Sequence, residues 1–120
     1  MYEYKAKVDR LIDGDTVVLI IDLGFNNYTK VTGRLEGIDT PEIRGKHLSV
    51  EDLKRGHEAT HHLEELCSVF SPLTVKTKKD RKGSFGRYLI TIYGVDPQEG
   101  YPVCINDLMV KDGYAIQKDY

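Results

Sequence analysis

The chain has 120 residues, a formal net charge of −2 and 40% hydrophobic residues. This length predicts a single domain that buries about two-thirds of its unfolded surface, so neither disulfides nor a structural metal are needed for folding. The acidic balance argues against a general nucleic-acid coat protein. No segment has the length of a membrane span, and the first residues lack the apolar region of a secretion signal. We therefore expect a cytoplasmic protein, and we expect it to be a monomer.

The first third of the chain has the pattern of β-strands. Residues 2–9 alternate between apolar and polar side chains, which is the period of a half-buried strand. Residues 17–21 are a continuous apolar run rich in β-branched residues, which predicts a strand covered on both faces. A third strand is predicted over residues 28–38, with Val31 and Leu35 on one face and Arg34 on the other. Turns are predicted at Asp13-Gly14 and over residues 24–27.

The period then changes to that of a helix. Ser49 and Asp52 resemble a capping box, and Pro72 lies beyond the end of a predicted helix over residues 50–69. The apolar stripe of this helix comprises Leu53, Thr60, Leu63, Cys67 and Phe70. Cys104 lies in a short apolar run, so it and Cys67 are expected to be reduced core thiols and not a disulfide.

Two more strands are predicted over residues 73–78 and 87–93, and a short helix over residues 106–112 that ends at Gly113. Five short strands bury their apolar faces most readily as a closed barrel with a helix packed against it. The sequence therefore predicts a mainly β, α+β fold in one domain spanning residues 1–120. This fold is a five-stranded OB-type β-barrel with a long helix after strand 3 and a short C-terminal helix.

Six residues in short motifs form a set suited to phosphodiester chemistry. Two carboxylates and a carbonyl can hold a hard divalent cation, two guanidinium groups can bind one phosphate, and a further carboxylate can activate a water. The residues are Asp15 in Asp13-Gly14-Asp15-Thr16, Arg34 in Gly33-Arg34-Leu35, Asp39, Thr40 and Glu42 in one run, and Arg87 in Phe85-Gly86-Arg87.

Each motif also has a purely structural interpretation. Asp13-Gly14 is a common two-residue hairpin connector, and Thr40-Pro41-Glu42 resembles the start of a helix. Arg34 and Arg87 are, one by one, ordinary exposed strand arginines. Strict strand alternation would also direct Arg34 and Asp39 to opposite faces, so a shared site requires a bend at Glu36-Gly37.

Two further features remain open at this point. Six cationic residues lie between Lys76 and Arg87, opposed only by Asp80. This basic stretch is either a phosphate track or a solvated hairpin tip. The second feature is the run from His57 to His61, which matches the zinc-protease pattern H-E-x-x-H on a predicted helix. No third ligand lies at a metalloprotease spacing, so we interpret these histidines as surface residues.

Taken together, the motifs resemble the staphylococcal nuclease (thermonuclease) family. The resemblance runs from Val8 to Val17, from Arg34 to Glu42 and from Phe85 to Leu89, and continues through Asn106-Asp107-Leu108 to Gly113-Tyr114-Ala115. It therefore covers most of the chain, and each active-site position of the family is occupied by the family's residue type.

The resemblance implies a Ca²⁺-dependent nuclease that cleaves DNA or RNA and leaves 3′-phosphate ends. By the same resemblance, Ca²⁺ would be held by Asp15, Asp39 and the backbone carbonyl of Thr40. Glu42 would be the general base, and Arg34 and Arg87 would clamp the phosphate. Phe85, which replaces the family's usual tyrosine, and Tyr120 would stack on bases. Such stacking favours single-stranded or frayed substrates, because it needs an accessible base. The alternative is a catalytically silent OB-type nucleic-acid-binding module.

Overall fold

In a computed structural model, residues 2–41, 43, 48–79 and 87–118 are described. The long helix α1 spans Val50–Val69 and the short helix α2 spans Ile105–Lys111. The strands are β1 Tyr2–Leu11, β2 Thr16–Gly24, β3 Asn27–Leu35, β4 Ile38–Asp39, β5 Leu73–Lys79, β6 Arg87–Val95, β7 Pro102–Cys104 and β8 Ile116–Gln117.

Five of the strands close into a barrel. Their order is β3-β2-β1-β5-β6 with antiparallel neighbours, and a parallel pairing between β3 and β6 closes the circle. The predicted OB-type barrel is therefore confirmed. Three short strands were not predicted: β7 extends the edge of β6, and β4 pairs with β8. Segments of two or three residues are too short to show a periodicity in the sequence.

The hydrophobic core fills the barrel and the space beneath the two helices. Alternate residues of each barrel strand point inwards, because successive side chains of a strand lie on opposite faces. The fully buried side chains from the strands are Val17, Leu19, Leu35, Val75, Ile90 and Ile92, and those from the helices are Ala59, Leu63, Ile105 and Met109.

Helix α1 has the predicted limits, and its capping box is present. The Ser49 hydroxyl accepts a hydrogen bond from the Asp52 amide at 3.1 Å, and the Asp52 carboxylate accepts one from the Ser49 amide at 3.3 Å. Its buried face differs in part from the predicted stripe, because it includes the small residues Gly56 and Ala59. These residues let the helix lie close to the barrel. Among the described residues, neither helix is long and apolar enough to cross a bilayer.

The predicted third strand is interrupted, which corrects the sequence interpretation. Strand β3 ends at Leu35, and Gly37 adopts a φ of +81°, a left-handed conformation that glycine adopts without steric cost. The chain then resumes as β4. Similarly, α2 begins one residue earlier than predicted and ends at Lys111, and Gly113 has a φ of +87° just beyond it. Both free thiols agree with expectation, and burial raises the pKa of Cys67 to about 12.

A buried asparagine ties α2 to the barrel. The Asn106 amide nitrogen donates to the backbone oxygens of Glu36 at 3.0 Å and Ile90 at 3.1 Å, and its oxygen accepts from the Ile92 amide at 3.0 Å. Only 3% of the residue is exposed. The side chain therefore satisfies three backbone groups that have little access to water.

We expect Asn106→Leu to lower the free energy of unfolding by about 2–4 kcal/mol, because it leaves buried backbone groups without partners. Urea denaturation measures the change. Lys111→Ala, at an exposed position of the same helix, is the matched control and should stay within about 0.5 kcal/mol of wild type. Equal stability of the two variants would contradict this role for Asn106.

Candidate functional site

The loop between β1 and β2 directs Asp15 towards the protein interior. The amides of Ile12 and Asp13 both donate to the Thr16 carbonyl, at 2.9 and 3.2 Å, so four residues form the turn. The two-residue Asp-Gly hairpin considered from the sequence is therefore wrong. Instead, the Asp13 carboxylate accepts from the Asp15 amide at 3.0 Å, as in an Asx turn.

Gly14 allows this loop to pack tightly. A Cβ atom at this position would lie 2.9 Å from the Cβ of Ala59 and 2.9 Å from the hydroxyl oxygen of Thr40. Any larger residue would therefore push the loop away from α1 and from the segment after β4. The close approach holds Asp15 beside Thr40.

The bend at Gly37 brings Asp39 and Thr40 to the same place. Strand β4 pairs with β8, with Asp39 opposite Ile116, and the Lys118 amide donates to the Gly37 carbonyl at 2.9 Å. The Thr40 amide then donates to the Asp15 carboxylate at 3.2 Å. No helix begins at Thr40, since the described residues around it are irregular and α1 begins at Val50.

Arg34 is the centre of the site. Its guanidinium lies 3.4 Å from an Asp15 carboxylate oxygen and 3.1 Å from one of Asp39, and only 12% of its side chain is exposed. It also donates to the Ile38 carbonyl at 3.2 Å. One guanidinium therefore links the two carboxylates that the sequence predicted to share a site, and the predicted bend at Glu36-Gly37 is present.

Burial dominates the electrostatics of Asp15. Desolvation raises the pKa of its carboxyl group, and the hydrogen bond and the charge of Asp13 raise it further. The charge of Arg34 and the backbone hydrogen bond from Thr40 act in the opposite direction but do not cancel the effect. Asp39 is more exposed, and its second oxygen lies 3.6 Å from the Lys118 ammonium.

The donor set fits a hard divalent cation. Asp15 and Asp39 converge on one positive charge, both offer carboxylate oxygens as ligands, and the buried Thr40 hydroxyl has no hydrogen-bond partner in the described structure. Calcium prefers such ligands, whereas zinc prefers nitrogen and sulfur. In the same described part, no three His, Cys, Asp or Glu residues lie together as a metal cluster. Uncharged oxygens would therefore have to complete the coordination.

Arg87 lies on the same face of the sheet as Arg34. It begins β6 opposite Thr32, two residues before Arg34 on the paired strand β3. Residues directly opposite each other share a face, as do residues two apart along a strand. This pairing closes the barrel. It places Arg34 and Arg87, which are 53 residues apart in the chain, one strand spacing apart across the sheet and about 7 Å apart along the strand.

Three predicted site residues, Glu42, Phe85 and Tyr120, lie outside the described residues. The histidines of the H-E-x-x-H pattern are exposed, and the His61 imidazole contacts the Glu65 carboxylate at 3.0 Å. Lys118 was missed by the sequence analysis, because only the β4–β8 pairing brings it to Asp39. Asp13 could have been identified from the sequence as a residue that affects the site, since it shares a motif with Asp15.

Comparison with known proteins identifies the family of this chain. Residues 32–120 match the family described as "Staphylococcal nuclease homologue". The chain is also 33% identical over 119 residues to "Endonuclease YhcR" of Bacillus subtilis (strain 168), an alignment that covers 94% of this chain and 9% of that protein. The chain thus spans a small part of the length of this relative. Because the family match extends over well over half of the sequence, the chain belongs to the staphylococcal nuclease homologues.

Proposed function

We propose that the protein hydrolyses phosphodiester bonds of DNA or RNA in a Ca²⁺-dependent reaction. The observation that carries this proposal is the position of Arg34, which links two buried or half-buried carboxylates and shares a sheet face with Arg87. A site with two adjacent guanidinium groups and a cation-binding carboxylate pair is suited to the negative charge of a phosphate under attack.

In this mechanism each residue has one task. Asp15, Asp39 and the Thr40 carbonyl would hold Ca²⁺. The bound cation would stabilise the negative charge of the phosphate. Glu42 takes a proton from the attacking water, which then displaces the leaving oxygen in line at phosphorus. Arg34 and Arg87 bind the non-bridging oxygens, where charge accumulates in the transition state. The bond between phosphorus and the 5′ oxygen breaks, this oxygen takes a proton from the solvent, and a 3′-phosphate end remains.

Phe85 and Tyr120 would bind the bases next to the cleaved bond. An aromatic ring stacks only on a base whose face is accessible, so we propose that the substrate is single-stranded or frayed. The basic residues near Arg87 in the sequence would add attraction for the phosphate backbone.

The expected result in a nuclease assay is cleavage of a single-stranded oligonucleotide with Ca²⁺ and none with EDTA. Glu42→Gln should lower the rate by about 10²- to 10⁴-fold, because the amide cannot accept the proton. Denaturing gels or a quenched fluorescent oligonucleotide measure both effects. Binding without cleavage by the wild type would favour the silent OB-type module.

A thermal-shift control separates the two candidate metal sites. Ca²⁺ with a nucleotide bisphosphate should raise the Tm of the wild type and of His57→Ala, but not of Asp15→Ala. Stabilisation by zinc that depends on His57 would instead support the H-E-x-x-H interpretation. Cleavage that persists in EDTA would refute the proposed metal dependence.

A further inference from the structure

We propose that the outer face of β5 binds the backbone of single-stranded nucleic acid beside the cleaved phosphate, through Lys78 and Lys76. This surface, the β5 stripe, consists of Lys78, Lys76 and the neighbouring Lys5 and Tyr93. Its role in holding the substrate beside the cleaved phosphate rests on the proposed function. Its capacity to bind nucleic acid can be measured without cleavage.

The sheet register makes the β5 stripe continuous with the catalytic arginines. Arg34 on β3 lies opposite Leu89 on β6, which in turn lies opposite Lys78 on β5. Two strand spacings, about 10 Å, therefore separate the backbone of Arg34 from that of Lys78. All three residues point away from the core, because the intervening positions Leu35 and Ile90 are fully buried.

The stripe continues along β5 away from the arginines. Lys76 is two residues from Lys78, so it shares the face and lies about 7 Å further on. Its ammonium lies 5.2 Å from the centre of the Tyr93 ring, which is a cation–π contact. Thr74 follows, with Lys5 and Tyr93 as its partners on the two adjacent strands. Regularly spaced cations of this kind suit the repeating phosphates of an extended strand.

The end of the stripe opens into a groove of about 1290 Å³ that is lined in part by Lys5, Lys7, Lys76 and Tyr93. Apart from Arg34, whose charge is matched by Asp15 and Asp39, this face carries four cations, Arg87, Lys78, Lys76 and Lys5, against the carboxylates of Glu36 and Glu3. The chain as a whole is acidic. A local excess of positive charge beside a phosphate-binding site indicates a polyanion as the ligand.

The acidic neighbours do not neutralise the stripe. Glu36 contacts the Lys78 ammonium at 2.6 Å, but 52% of the Lys78 side chain and 31% of the Glu36 side chain are exposed. The Glu36 oxygen in this contact is buried, but the Lys78 ammonium has three N–H donors, so it can bind a phosphate in addition to the carboxylate. Glu3 lies opposite Lys76 on β1 and is exposed, so its effect on the charge of Lys76 is weakened by solvent.

The test measures binding of fluorescein-labelled oligothymidylates of three and twelve nucleotides by fluorescence anisotropy in EDTA. For Lys76→Gln/Lys78→Gln, we expect the Kd of the twelve-mer to rise about tenfold. The three-mer should lose less affinity than the twelve-mer, because its few phosphates cannot contact the arginines and both lysines at once. The slope of log Kd against log salt should fall by about 1.4, which is about 0.7 for each lost phosphate contact.

Two further variants sharpen the test. Lys54→Gln/Lys111→Gln removes the same charge from exposed positions on the helices and should bind like the wild type. Lys76→Arg/Lys78→Arg keeps the charge and should retain the affinity. Equal affinity of the Gln pair and the wild type for the twelve-mer, or an equal loss in the helix pair, would overturn the proposal.

Cleavage of a nitrophenyl ester of thymidine phosphate with Ca²⁺ distinguishes this proposal from the proposed function. The Gln pair should cleave this short substrate at the wild-type rate. A wild type that cleaves neither this ester nor an oligonucleotide but shows the length-dependent binding refutes the proposed function and supports the stripe. Loss of short-substrate cleavage in the Gln pair alone would mean that the lysines act on the catalytic site and would overturn the stripe.

Discussion

Arg34→Ala is expected to abolish measurable cleavage and to destabilise the metal-free protein by about 3–5 kcal/mol. The guanidinium lies within 3.4 Å of Asp15 and 3.1 Å of Asp39, so its removal takes this counter-charge from the buried Asp15 and leaves Asp39 with Lys118. The loss of a donor to the phosphate should lower kcat by at least about 10²-fold on its own. Urea denaturation in EDTA and a nuclease assay with Ca²⁺ measure the two effects.

Calcium should restore part of the lost stability of Arg34→Ala, because a divalent cation can neutralise the same carboxylates. It should not restore cleavage, since the guanidinium that donates hydrogen bonds to the phosphate is still missing. Arg87→Ala is the matched variant on the same sheet face, and it should lose activity with a smaller change in stability. If Arg34→Ala is as stable as the wild type in EDTA, Arg34 does not hold the two carboxylates together in solution.

Asp15→Asn is expected to have opposite effects on stability and activity. Burial raises the pKa of this carboxyl group, so the folded protein favours its neutral form. A neutral amide of the same size should therefore increase the free energy of unfolding of the metal-free protein at neutral pH, because no buried charge is left at this position and Arg34 keeps Asp39 as its partner. Activity should fall by at least about 10²-fold, because one of the two proposed Ca²⁺ carboxylates is lost.

The pH dependence follows from the direction of the shift. The folded pKa of Asp15 lies above its unfolded value of 3.8, so the protonated carboxyl favours the folded state below that pH. This contribution is lost as the pH rises through the folded pKa. The stability advantage of Asp15→Asn over wild type should therefore be small near pH 4 and grow towards neutral pH.

Denaturation of both proteins between pH 4 and pH 8 in EDTA gives the measurement. Asp22→Asn removes a carboxylate of the same type from the distant end of the β2–β3 hairpin and should not show this pH-dependent gain. Ca²⁺ should stabilise the wild type more than Asp15→Asn. A constant difference across the pH range would contradict the burial of a charged Asp15.

Much of the fold was predictable because long elements repeat their pattern many times. Helix α1 matched its predicted limits, since a capping box marks its start and a proline lies beyond its end. Its buried face was predicted only in part, because Gly56 and Ala59 are not apolar enough to stand out. The interruption at Gly37 was expected from the need to align Arg34 with Asp39, yet its exact place depends on a left-handed backbone conformation.

The sequence by itself determined the residue types of the site and the order of the longer elements. Carboxylates and guanidinium groups in the motifs predicted phosphate chemistry, because few other ligands need both. Only the tertiary structure decided which of these groups meet. The contact of Arg34 with Asp15 depends on the β1–β2 loop, and the contact of Asp39 with Lys118 depends on the pairing of two strands 77 residues apart. Long-range pairing of this kind follows from burial of the whole barrel, which no local pattern in the chain records.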